Sequence, residues 1–109
     1  MMRWIVAFAV IAAALAAGAQ EPNGKEIYLA RCSFCHGPDG RGDGPAGSSL
    51  EPPPTNFSDR AYWKSATAAS IRNAIENGKP RTAMMPFSGT LTPPEIDALV
   101  GYVKTFAPK

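Results

Sequence analysis

What this sequence has little of narrows its reading before any motif is considered. Across 109 residues there is one histidine, His36, and there are two cysteines, Cys32 and Cys35. Two cysteines argue against a disulfide-built scaffold. Strand signals are missing as well. No stretch alternates apolar and polar residues, and no βαβ pattern surrounds the cysteines, so the chain reads as all-α. Charge is sparse and balanced, with eleven Lys and Arg against nine Asp and Glu, which suggests no nucleic-acid partner. The glycine-rich stretch Gly37 to Gly44 could cradle a phosphate. It lacks the preceding strand and the following Lys-Ser/Thr of a P-loop. The longest apolar run, Trp4 to Ala17, is shorter than the roughly 20 residues of a membrane span.

That run follows the short positive start Met1-Met2-Arg3 and precedes the small residues Ala17-Gly18-Ala19. It reads as a signal peptide over residues 1–19, cleaved so that Gln20 begins the mature chain, in preference to a retained membrane anchor. With Arg3 in the leader, ten basic side chains stand against nine acidic ones. Residues 20–109 then form one small domain. Such a chain buries a thin core by itself, and a covalently held apolar group would supply a centre.

The scarce residue types stand together. Cys32-Ser33-Phe34-Cys35-His36 reads C-x-x-C-H, the attachment signature of a c-type haem. Two thiols that close in sequence can reach the two vinyl groups on one porphyrin edge, and the next residue can put an imidazole on the iron. Export to an oxidising periplasm suits that attachment chemistry. Two other uses of the pattern exist. A zinc site wants four ligands, and the three residues exhaust the Cys and His supply, leaving a carboxylate as the fourth. A disulfide, redox-active or plainly structural, is the other. In the haem reading, a Met thioether is the usual second ligand for an electron carrier.

Along the rest of the chain, Pro22 to Arg31 reads as a helix with Asn23 as its cap. Gly24 and Tyr28 lie on one face of it, and a glycine there implies close approach of another helix backbone. Gly37 to Pro54 reads as loop wrapped against the proximal side of the cofactor. It is expected to give His36 a carbonyl for its second ring nitrogen, from Pro45 or a neighbour. Phe57, Tyr62 and Trp63 are expected to cover the haem edge or the core, with the Trp63 indole N–H on a propionate. Thr67 to Asn77 forms the next helix, with Ile71, Ala74 and Ile75 as its apolar stripe and Gly78 as its stop. A loop with Met84 and Met85 follows. The last helix is capped by Thr92, with Pro93 at its first position and Glu95 closing a capping box. Ile96, Leu99, Val100 and Val103 form its buried stripe.

These pieces resemble the bacterial class I monohaem cytochromes c, both small shuttles and the haem domains of cbb3-oxidase subunits. The likeness runs from Asn23 to Phe106. It rests on Gly24…Tyr28…Cys32-x-x-Cys35-His36-Gly37, the Gly40 to Pro45 loop, Ile75-x-x-Gly78, Ala83-Met84…Phe87, and Leu91-Thr92…Leu99-Val100-x-Tyr102-Val103. The resemblance implies an all-α fold of three or more helices around one covalently attached haem c. Its first and last helices would cross, so that Gly24 and Tyr28 meet Leu99 and Tyr102, and Pro45 would be the carbonyl partner of His36. It also implies His36 and a Met as the iron ligands. Aligning on Ala83, Phe87 and Leu91 selects Met84, whereas the Met-Pro dipeptide would select Met85; the first keeps three landmarks in register. The function implied is one-electron transfer rather than enzymatic turnover of a small-molecule substrate, either as an exported carrier or as a subunit of a larger oxidoreductase. Partners would be redox proteins or membrane respiratory complexes, docking through an acidic patch against Arg31, Lys79 and Arg81.

Overall fold

The computed structural model describes residues 21–109; the leader expected over residues 1–19 and the Gln20 start lie outside them. The described residues form five helical segments and one 3-10 turn, with no strand among them. They are α1 (Gly24–Arg31), α2 (Ser33–His36), the turn Gly47–Ser49, α3 (Arg60–Trp63), α4 (Ala68–Asn77) and α5 (Pro93–Lys104). The expected all-α architecture is what the chain adopts.

The helix boundaries follow from local chemistry. Asn23 accepts the Glu26 N–H and starts α1, leaving Pro22 outside the helix. Thr67 and Ser70 exchange side-chain and backbone bonds at the start of α4, and Thr92 and Glu95 do the same at the start of α5. Gly78 ends α4 at φ 70°. Two short elements were not foreseen. The 3-10 turn interrupts what reads as continuous loop. Helix α3, capped by the Asp59 carboxylate on the Ala61 N–H, carries Tyr62 and Trp63. Both are single turns, too short to show a periodic pattern.

Helices α1 and α5 cross tightly. A β-carbon on Gly24 would collide with the backbone carbonyl of Ala98 and lie 3.1 Å from Cβ of Tyr102. This is the close approach that a glycine at the helix start implies. One turn on, Tyr28 is wholly buried and its ring lies 5.3 Å from that of Tyr102 and 5.2 Å from Phe106. Helix α4 also packs against α5, and Arg72 reaches across to pair with Asp97. The core gathers Tyr28, Phe57, Ile71, Ile75, Phe87 and Leu91 around the α5 stripe of Ile96, Leu99, Val100 and Val103. No helix among the described residues is long and apolar enough to cross a membrane.

Candidate cofactor site

The C-x-x-C-H segment is a helical turn hung from the end of α1. Cys32 caps α1 through its N–H to the Tyr28 carbonyl (2.8 Å), and its own carbonyl accepts the His36 N–H at 2.9 Å. The glycine-rich loop then folds back over this turn as a row of donors. Ala46, Gly44 and Gly42 give their N–H groups to the carbonyls of Phe34, Cys35 and His36 at 2.9, 3.0 and 2.7 Å. So the end of α2 has no orphan carbonyl. Gly44 must be glycine for this to happen: a β-carbon there would strike the carbonyls of Ser33 and Phe34. Beneath, the buried Tyr28 hydroxyl donates to the Gly37 carbonyl at 2.6 Å.

His36 is held from a different place than expected. Its Nδ1 lies 3.1 Å from the carbonyl of Thr55, and Pro45 does not fill that role. The loop from Gly42 to Ala46 runs over the outer side of α2, which leaves Pro45 exposed. The chain reaches the imidazole only after it has passed the prolines 52–54. Because a carbonyl can only accept, Nδ1 carries the proton and Nε2 keeps its lone pair. Burial lowers the imidazole pKa below its usual value, with the Thr55 bond opposing, so the ring is neutral near pH 7. Burial pushes the Cys32 thiol up to about 11; Arg31 opposes the rise and Cys35 adds to it. Both cysteines are unpaired and half-buried.

Trp63 also departs from expectation. Its indole N–H donates to the Phe57 carbonyl at 2.7 Å, so it is consumed inside the protein rather than offered to a propionate. Tyr62 and Phe57 line the cleft described next; Trp63 stands behind them.

Cys32, Cys35 and His36 face a cleft of about 520 Å³, within the ~300–1,000 Å³ range of cofactor sites. Pro52 to Thr55, Phe57, the α4 face of Ile71, Ala74 and Ile75, the loop from Thr82 to Met85, and Leu99 and Val103 of α5 complete its walls. The wall is mostly apolar, as a porphyrin requires. Met84 and Met85 both border it, and they differ. Met84 is half-buried against the core, its N–H bound to the Thr82 hydroxyl (3.1 Å) and its carbonyl to the Lys79 N–H (3.2 Å). Met85 is 61 % exposed. A second hollow of about 550 Å³ between Glu21, Pro22, Pro94, Asp97 and Ala98 holds no cysteine, histidine or methionine. The described residues hold no group of three His, Cys, Asp or Glu arranged to ligate a metal ion.

Thr55 escaped sequence reasoning, and Phe57, expected to cover the haem edge or the core, was not foreseen as the partner of the His36 ring. The His36 and Phe57 rings are stacked at 4.9 Å and 16°. Thr55 contributes only a backbone carbonyl, which carries no side-chain signal. Phe57 was visible only as one aromatic of a cluster.

A helical shell, two cysteines and an imidazole on one side of an apolar cleft, and thioethers on its wall define a class I monohaem c-type cytochrome. The family model described as cytochrome c oxidase, cbb3-type, subunit III, matches residues 19–103. The chain belongs to that family: it is an electron-transfer haem protein, with covalently attached haem c as its cofactor. It is 37 % identical over 84 residues to the cbb3-type cytochrome c oxidase subunit FixP of Azorhizobium caulinodans, covering 76 % of this chain and 26 % of that one. The chain thus spans about a quarter of the length of this curated relative. Among solved structures it is similar to the c-type cytochrome KustC0563 (33 % identity, TM-score 0.65, 79 % of this chain and 99 % of that one). It is also similar to a chain of the Kuenenia stuttgartiensis reducing HAO-like complex Kustc0457/Kustc0458 (30 % identity, TM-score 0.67, 77 % and 41 %).

Proposed function

We propose that this domain is an exported one-electron carrier whose haem is attached through Cys32 and Cys35 and ligated by His36 and Met84. The haem would supply a reversible one-electron change at iron, and the protein's part would be to hold the donors of His36 and Met84 still. His36 enters as a neutral imidazole with Nε2 free, fixed by Thr55. The observation that carries the assignment of Met84 is its pinned, half-buried backbone at the cleft wall, against the exposure of Met85. With His36 and Met84 both holding the iron, no position on it would remain for a substrate. A thioether ligand favours the reduced state relative to a second nitrogen ligand. Residues 1–19 would direct the chain to the periplasm and be removed there.

Partners would be redox proteins or membrane respiratory complexes. Arg31 and Lys79 border the cleft, Arg81 lies exposed in the same loop as Lys79, and no carboxylate occurs between Gly78 and Thr92. An acidic docking patch on the partner fits that rim. A second reading is favoured by the relative from Azorhizobium, itself an oxidase subunit: this domain would serve as a haem-bearing component of a larger oxidoreductase, and a stable co-purifying partner would decide for it.

The ligand assignment is tested by two substitutions. Met84→Ala should remove the sulfur-to-iron charge-transfer absorption at the red end of the spectrum and lower the potential, while Met85→Ala leaves both in place. The reverse pattern would transfer the role to Met85.

A further inference from the structure

His36 is held by more than the Thr55 carbonyl. One hydrogen bond fixes a point on the ring, Nδ1, and still lets the plane rock about it. The second constraint is the face of Phe57, 4.9 Å away between centroids and 16° from parallel, an offset-stacked arrangement. That face is itself immobilised. The Phe57 N–H donates to the Gly40 carbonyl at 2.6 Å, and its carbonyl accepts the Trp63 indole N–H at 2.7 Å. Tyr62 meets the ring edge-on at 5.5 Å. Residues 55–57 therefore offer His36 both an anchor and a plane.

We propose that Phe57 is a positioning residue that sets the plane of the His36 imidazole and so the orientation of the iron's ligand field. The proposal rests on the reading that His36 ligates the iron. An imidazole's π-orbital lies perpendicular to its ring, so the ring's azimuth decides which iron d-orbital it overlaps. In a low-spin ferric centre that choice is visible as the spread of the electron paramagnetic resonance g-values and as the order of the haem methyl proton shifts. Neither quantity follows general packing stability. Phe106 supplies the comparison, because its ring lies parallel to Phe57 at 6.1 Å (4°) within the same aromatic cluster but does not itself stack on His36.

The test uses the haem-loaded protein with Phe57→Leu, Phe57→Tyr and Phe106→Leu. Phe57→Leu should shift the g-values and reorder the haem methyl resonances. Phe57→Tyr should keep the wild-type pattern, since the stacking face is retained. Phe106→Leu should lower the melting temperature while leaving the g-values in place. If Phe57→Leu fails to fold, Phe57→Met, which fills the space without a flat face, takes its place. Unchanged g-values in the Leu or Met variant, or equal shifts from Phe106→Leu, would overturn the proposal. Failure of the underlying reading is distinct: the wild type itself would then lack a histidine-ligated low-spin signal.

Discussion

The approach of α1 to α5 at Gly24 can be tested by a single methyl group. In Gly24→Ala the new carbon would strike the Ala98 oxygen and lie 2.8 Å from the Ala98 carbonyl carbon, whereas carbon contacts are comfortable at about 3.5–4.0 Å. The obstacle is backbone, so α1 must withdraw by roughly 1 Å, and a gap of that size forfeits about a quarter to a half of each contact's attraction. Overpacking of this kind costs about 1–3 kcal/mol. Exchanging glycine for alanine in a helix returns at most about 1 kcal/mol, and less here because Gly24 is the first helical residue. The net expectation is a loss of roughly 1–2 kcal/mol, a fall in melting temperature of about 4–16 °C for a domain of this size. Gly101 provides the opposite case. It is exposed in the middle of α5, and a β-carbon there would meet nothing within 4 Å. Gly101→Ala should therefore stabilise the protein by about 0.5–1 kcal/mol. Thermal melts of the haem-loaded protein, followed by far-ultraviolet circular dichroism, compare the two directly. If Gly24→Ala melts at or above the temperature of Gly101→Ala, the helices do not meet as described.

Further expectations concern the site and its rim. Tyr28→Phe should cost only about 0.5–1.5 kcal/mol in denaturant unfolding, because the Gly37 carbonyl keeps the Gly40 N–H at 3.0 Å; a loss above about 3 kcal/mol would mean that the hydroxyl has another task. Replacing Cys32 and Cys35 together by Ala should abolish covalent attachment, and a haem-stained band on a denaturing gel would refute it. Lys79→Glu with Arg81→Glu should slow electron transfer to an acidic partner at low salt and leave the absorption spectrum unchanged. Raising the salt should slow the wild type as the Debye length falls from about 30 Å at 0.01 M to about 10 Å at 0.1 M. Indifference to both salt and charge would point instead to docking through the exposed apolar residues Phe34 and Met85.

How much of this was legible in the sequence depended on whether a feature is written in side chains. Caps are: Asn23, Thr67 and Thr92 act through their own oxygens, and each marks the helix start it predicts. The Gly24 contact was legible because a glycine on an otherwise ordered helix face needs a reason. The carbonyl beside His36 was not. Any residue can present one, and the selection of Thr55 depends on how the chain turns around three prolines, a three-dimensional outcome. Trp63 misled for a related reason. An indole N–H must find a partner when buried, and an internal carbonyl satisfied it before any bound group could.

The pairing of α1 with α5 also has a consequence for the order in which this protein can be made. Chain synthesis delivers α1 and the two thiols well before α5. An eight-residue helix by itself is barely stable in water, so until its distant partner arrives α1 has little to hold it. The cysteines would therefore meet an attachment apparatus on a pliable, open segment rather than within a finished crevice. Closure then becomes a late event that traps the cofactor behind α5, and a chain cut short before Pro93 could still be modified at its thiols yet never enclose what it carries.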